Sequence, residues 1–229
     1  MPDQQTPELY YDHGYALTAV ARAYLRVRNS DWLPAIRQGA EWALKQPPSQ
    51  NINYLSALAK GLTYAYLATG DQRFLDRALI LHLDYILPGI GQNGEALDTH
   101  NSKLEYHAFI VSGLIALTQG LPEKSPYLAS INRTLSAMLD NMAQRSLQSE
   151  TSTDATWPGN VLIAWHELAS IRKLTAFEQK ALNSTLELIR SRVQHIDEMH
   201  DAFKLRKLLS IDFPIGFFVP KSTSCQADE

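Results

Sequence analysis

Ala23-Tyr24-Leu25 followed by Trp32-Leu33 is echoed 42 residues later by Ala65-Tyr66-Leu67 followed by Phe74-Leu75. In each copy an apolar run of helical period leads into a short polar turn, Arg28-Asn29-Ser30-Asp31 or Thr69-Gly70-Asp71, and then into a second periodic run. A repeat of this length made of helix pairs predicts an array of α-hairpins rather than a single bundle. The register of the repeat also fixes which helix ends lie side by side, and so where a site would stand.

The pattern extends in both directions. Leu17, Val20, Ala21, Tyr24 and Leu25 give one apolar face to a helix expected over about residues 12–28. Asp31 reads as an N-cap, with Pro34 in the first turn of a partner helix that carries Ile36, Ala40, Ala43 and Leu44 and stops at Pro47-Pro48. The second hairpin is expected from near Ile52, with Leu55, Leu58, Leu62 and Tyr66 on one face. Gly70-Asp71 is its turn, and its partner carries Phe74, Ala78, Leu81 and Tyr85 as far as Pro88-Gly89. The glycine-rich Gly89-Ile90-Gly91-Gln92-Asn93-Gly94 has no following GK[ST], strand or helix, and reads as a long connection, not a phosphate loop. The third hairpin is expected from near Ser102 through Phe109, Gly113, Leu114 and Leu117, turning at Gly120-Leu121-Pro122 into a helix over about 125–146. Residues 147–156 are polar and read as a loop. The fourth hairpin spans about 158–173 and 175–197, with Thr175 and Glu178 as a capping box. No stretch alternates with strand period, so the expected fold is all-α, with about four antiparallel hairpins.

No Gly-, Ser- or charge-rich stretch is long enough to link two domains, so residues 1–229 are expected to form one domain with a polar tail from about 221. Hydrophobic residues make up 45% of the chain, ample for a core, and the net charge of −3 comes without any Lys/Arg block, which argues against nucleic acid. No apolar run is long enough to span a membrane. Cys225, the single cysteine, stands in the tail and reads as a bystander thiol. The polar start, Met1-Pro2-Asp3-Gln4-Gln5, fits either a cytoplasmic protein or one whose signal segment has been removed. The apolar segment 213–220, broken by Pro and Gly, reads as an extended strip packed on the body or as a contact for a partner, including a second copy of the chain.

In such an array the first helices of the hairpins run roughly parallel and their N-terminal ends share one rim. Those ends carry Tyr11, Asp12, His13 and Tyr15; Asn51, Asn53 and Tyr54; Asp98, His100, Asn101, Lys103, Tyr106 and His107; and Asp154, Trp157 and Asn160. The opposite rim carries only short turns, whereas both long loops, 88–101 and 147–156, fall on the decorated side, where function usually resides. Helix N-termini also favour a carboxylated ligand. Each polar residue there has a plain reading as a cap or core edge; it is their co-location that points to a site. The densest stretch is Asp98 to His107. His and Tyr are the types needed to remove and return a proton near neutral pH. Asp98, His100 and His107 match no standard zinc spacing such as HExxH, so no metal and no cofactor are expected. His195 and His200, with Asp197, Glu198 and Asp201, read as a solvated face, and no GxSxG elbow occurs. Trp157 offers a flat face for stacking on a sugar or a hydrophobic staple for the fourth hairpin.

The stretch from Ala65-Tyr66-Leu67 through Thr69-Gly70-Asp71 to Phe74-Leu75-Asp76-Arg77-Ala78 resembles the hairpin turns of α/α-toroid carbohydrate-active enzymes, which include polysaccharide lyases of the alginate-lyase and pectate-lyase kinds and the six-hairpin glycosidases. His100-Asn101 through Tyr106-His107-Ala108-Phe109 resembles the Asn/His/Tyr-bearing helix starts of those lyases, with His and Asn in the reverse of the alginate-lyase order. The resemblance covers about residues 10–195 and implies a partial toroid, since the chain is shorter than a six-hairpin ring. It implies a lyase that cleaves a uronate-containing glycan by β-elimination. Tyr106 or His107 would be the base at C5, Asn101, His100 or Asn53 would neutralise the carboxylate, and a rim Tyr or His such as Tyr54 or His13 would protonate the leaving oxygen. Asp12, Tyr15, Asp98, Trp157 and Asn160 complete the expected substrate-binding rim. A glycoside hydrolase on the same scaffold, pairing carboxylates among Asp12, Asp98 and Asp154, is one alternative. The other is a non-catalytic helical-repeat module that binds protein, since tetratricopeptide-like arrays use similar turns.

Overall fold

The computed structural model describes residues 8–148 and 158–194. These form eight α-helices: α1 (Glu8–Val27), α2 (Leu33–Leu44), α3 (Ile52–Thr69), α4 (Gln72–Leu81), α5 (Leu104–Gly120), α6 (Leu128–Gln148), α7 (Pro158–Ile171) and α8 (Ala176–Gln194). Among the described residues no strand forms, and the fold is all-α. Trp157, Asp154, Cys225 and the segment 213–220 lie outside the described residues.

The turns follow their chemistry. Gly70 ends α3 in the left-handed region at φ 73°, and Asp71 then caps α4 by accepting the N–H of Arg73 at 3.2 Å. Thr175 and Glu178 form the reciprocal capping box at the start of α8. The first turn differs from expectation. Asp31 lies inside a short 3₁₀ turn, Ser30–Trp32, which is capped by Asn29, and α2 starts without a side-chain cap, with Pro34 in its first turn. The helix expected to continue α4 to Tyr85 instead widens into a single π turn, His82–Ile86. There the buried His82 ring bonds through Nδ1 to the carbonyl of Ala78 at 2.8 Å.

The odd-numbered helices pack in succession, α1 on α3, α3 on α5 and α5 on α7, and each even-numbered helix packs against the odd helix before it in the chain. The two central helices are therefore surrounded. From Leu55 to Ala65 every residue of α3 is buried, as is every residue of α5 from His107 to Leu117. Small residues make this possible. Gly14 of α1 lies against the backbone of Ala57, and a Cβ on Gly61 of α3 would come within 2.9 Å of the carbonyl oxygen of Gly14, too close to fit. The two helices therefore cross with almost no side chain between them. Between α3 and α5, Ser56 donates to the carbonyl of Phe109 at 3.2 Å, and Gly113 leaves the space that its hydroxyl occupies. The glycine-rich connection is compact: Ile90 and Ala96 form an antiparallel bridge, and Gly94, at φ 78°, lies against the backbone of Ala137 in α6.

Helix propensity alone would make Gly14→Ala stabilising by roughly 1 kcal/mol. The α1–α3 crossing reverses that sign, because the added methyl meets backbone that cannot rotate away. Gly14→Ala is expected to destabilise the fold by about 1–3 kcal/mol, read as a lower urea midpoint.

Candidate functional site

At the N-terminal ends of the inner helices an unbroken chain of ring contacts joins α1, α3, α5 and the connection before α5. Tyr11 lies 4.6 Å from Tyr15, 6.0 Å from Tyr54 and 5.3 Å from Phe109, centroid to centroid. Tyr15 is 5.5 Å from Phe109, and Phe109 is 6.4 Å from Tyr106. Tyr106 in turn stacks on His100 at 4.4 Å with the planes 21° apart. Edge and tilted geometries of this kind favour aromatic pairs. The tyrosines are half-buried and His100 is exposed, so the cluster has an outer surface.

His100 is held from several sides. Asn51 caps α3 by accepting the N–H of Asn53 through Oδ1, at 3.2 Å. That fixes the amide so that Nδ2 faces His100 Nε2 at 3.4 Å. Asn53 Nδ2 reaches the same nitrogen at 3.3 Å. With both amide nitrogens turned to it, Nε2 is the acceptor of these two contacts. Behind it, Asp98 accepts from the backbone of Asn101 at 2.7 Å and from its side chain at 3.0 and 2.8 Å. Burial pushes the Asp98 carboxyl up, but these bonds, with the backbone and charge of His100, outweigh it and hold Asp98 below the ordinary carboxylate range. The Tyr106 hydroxyl is pushed up by burial and by the nearby Glu105, and so stays protonated at neutral pH.

The structure thus brings together Tyr15, Asn53, Tyr54, His100 and Tyr106, with Asp98 and Asn101 as the brace under His100. It directs others elsewhere. His107 is fully buried, with Nε2 bonded to the carbonyl of Met138 in α6 at 3.0 Å, and burial lowers it to about 4. His13 turns to α2, where Nε2 bonds to the carbonyl of Gly39 at 2.8 Å and the ring lies 4.1 Å from Trp42. Asn101 has its amide nitrogen committed to Asp98. Asp12 is exposed on α1, and Asn160 is half-buried in the first turn of α7. Among the described residues no group of three His, Cys, Asp or Glu side chains could hold a metal ion.

Sequence reasoning missed a second constellation, deeper along the same helices. Lys60 of α3 donates to Ser112 of α5 at 2.5 Å and to both carboxylate oxygens of Glu167 of α7, at 2.8 and 3.0 Å. Ser112 donates to Glu167, and Arg22 of α1 donates to Glu167 Oε1 at 2.6 Å. Lys60, Ser112 and Glu167 are all buried. Burial alone would raise Glu167, but Lys60 and Arg22 outweigh it and draw it below the ordinary glutamate value. Burial pulls Lys60 down by more than its partner restores. The signal in the sequence was one lysine and one glutamate inside otherwise apolar runs, Leu55-Ser56-Ala57-Leu58-Ala59-Lys60 and Leu162-Ile163-Ala164-Trp165-His166-Glu167.

Two outcomes follow from these charges. Glu167→Gln leaves Lys60 and Arg22 without their counter-ion and is expected to cost about 3–5 kcal/mol at neutral pH, measured by urea unfolding. The wild-type contribution of Glu167 is present above the ordinary glutamate pKa and is lost as pH falls through its depressed value. His107 acts in the same direction, in a window at higher pH. The folded state binds fewer protons than the unfolded state between the ordinary histidine value of 6.5 and about 4, so stability falls as pH falls through that range. His107→Gln is expected to remove about 2 kcal/mol of the stability difference between about pH 7 and pH 5.

Compared with known proteins, the chain matches no family model, no curated protein and no solved structure.

Proposed function

We propose that the protein is a carbohydrate-active enzyme built as a partial α/α toroid of antiparallel hairpins, and that it cleaves a uronate-containing glycan by β-elimination at the aromatic rim. The observation that carries this reading is the pairing of an exposed His100 with Tyr106 stacked on it, while two amide groups, from Asn51 and Asn53, converge on the His100 Nε2. The toroid reading is supported by contacts that reach across α3: Tyr11 and Tyr15 of α1 meet Phe109 of α5, and Arg22 of α1 meets Glu167 of α7, as a curved row of helices requires.

The bonds to Nε2, at 3.3 and 3.4 Å, are long and exchangeable. A uronate carboxylate entering the rim draws the two amide N–H groups to itself, which withdraws charge from the sugar and frees the lone pair on Nε2. His100 then takes the proton from C5, the C4–O bond breaks, a C4–C5 double bond forms, and the Tyr106 hydroxyl protonates the departing oxygen. Tyr11, Tyr15 and Tyr54 supply flat faces for the neighbouring sugar rings. Hydrolysis by paired carboxylates is less well supported, because it needs one carboxyl protonated near neutral pH and Asp98 is held the other way.

The test is incubation with alginate, polygalacturonate and hyaluronan, read as the absorbance of the unsaturated uronate. Wild type is expected to cleave at least one of them. His100→Ala and Tyr106→Phe are each expected to lose about 10²–10⁴-fold in rate with unchanged helical circular dichroism. Full turnover by the double variant would remove these residues from the mechanism. Failure of wild type on every polyuronate, together with capture of a protein partner through the same rim, would establish the binding-module reading instead.

A further inference from the structure

Glu167 is faced by two cations, Arg22 and Lys60, within hydrogen-bond distance, and so cannot neutralise both. The two positions differ. Lys60 is closed in: its ammonium is buried and all three of its donors have partners in Ser112 and Glu167. Arg22 is not. Its side chain is 31% exposed, one Nη donates to Glu167, and the guanidinium lies 5.4 Å from the centroid of the buried Tyr64 ring. The one hydrogen bond that Arg22 makes among the described residues uses a single Nη, and its charge acts on the nearby half-buried His166.

We infer that Arg22, anchored by Glu167 and backed by Tyr64, is a recognition site for a carboxylate, taken up by the outward edge of the guanidinium beside His166. The argument is one of charge and of order. A buried carboxylate that already carries a lysine does not need an arginine to balance it, so the second cation leaves a local excess of one positive charge. A guanidinium with one edge bonded and one face covered has already lost most of its side-chain freedom, so little further ordering is required when an anion binds. Bidentate pairing with a planar carboxylate is the geometry such a fork matches best. The site lies seven residues beyond Tyr15 on α1, about 10 Å further along the same helix. Only the identity of the carboxylate's bearer, a second uronate unit of a chain lying along the inner helices, rests on the proposed function.

The experiment is titration of the isotope-labelled protein with sodium glucuronate at constant ionic strength, with glucose as the neutral control, following the Arg22 Nε–H and His166 ring signals. Saturable shifts with glucuronate and none with glucose are expected. Arg22→Gln is expected to weaken glucuronate binding about tenfold or more. Arg22→Lys keeps a cation beside Glu167, and therefore the fold, while removing the fork, and it is also expected to weaken binding. Unmoved signals in wild type, or unchanged affinity in a folded Arg22→Lys protein, would overturn the inference and leave Arg22 a structural counter-ion. His100→Ala should leave this titration intact. In wild type, no elimination with glucuronate binding present therefore counts against the rim alone, and elimination without glucuronate shifts counts against Arg22 alone.

Discussion

Four helices that are distant in sequence meet at one carboxylate. Glu167 of α7 holds Lys60 of α3, Ser112 of α5 and Arg22 of α1 at the same time, and each partner is fixed in its own helix by a different set of neighbours. Burying such a group costs more than an apolar side chain of equal size, so its value is not simple stability. Its effect is on register. A slide of any one helix by a turn, about 5.4 Å, would strand a charge in a place without water. Apolar faces tolerate sliding far better, and the inner helices are apolar almost throughout. The ion cluster thus favours one alignment of α1, α3, α5 and α7, and it is in that alignment that Tyr11, Tyr15, Tyr54 and Phe109 meet.

The all-α character, the order of the helices and most of the turns were legible in the sequence because they rest on local chemistry: period, caps, Gly70, and Thr175 with Glu178. Helix ends were legible to within a few residues. The misreadings have physical causes. Asp31 looked like a cap because its type suits one, but Asn29 reaches the 3₁₀ turn first. The π turn at His82–Ile86 leaves no trace in a pattern of spacing, since one extra residue per turn changes the apolar period only once.

The clustering of the rim side chains was legible as a set and not member by member. Placing the N-terminal ends of the odd helices on one rim brought Tyr15, Asn53, Tyr54, His100 and Tyr106 into view. Spacing could not say that His107, next to Tyr106, turns inward to Met138, because adjacent helical residues point about 100° apart and only packing decides which of them faces the core. His13 is separated from the tyrosines at 11 and 15 by the same geometry. Lys60 and Glu167 were passed over for the converse reason: charged residues are almost never fully buried unless paired, and the partner of each is more than a hundred positions away.

The loop that carries His100 is pinned along its length. The Ile90–Ala96 bridge closes its base, Gly94 seats it on α6, and Asp98 clasps Asn101 just before α5 begins. Such a strap has surrendered its freedom during folding, so the histidine it carries is held as a fixed template and not on a flap.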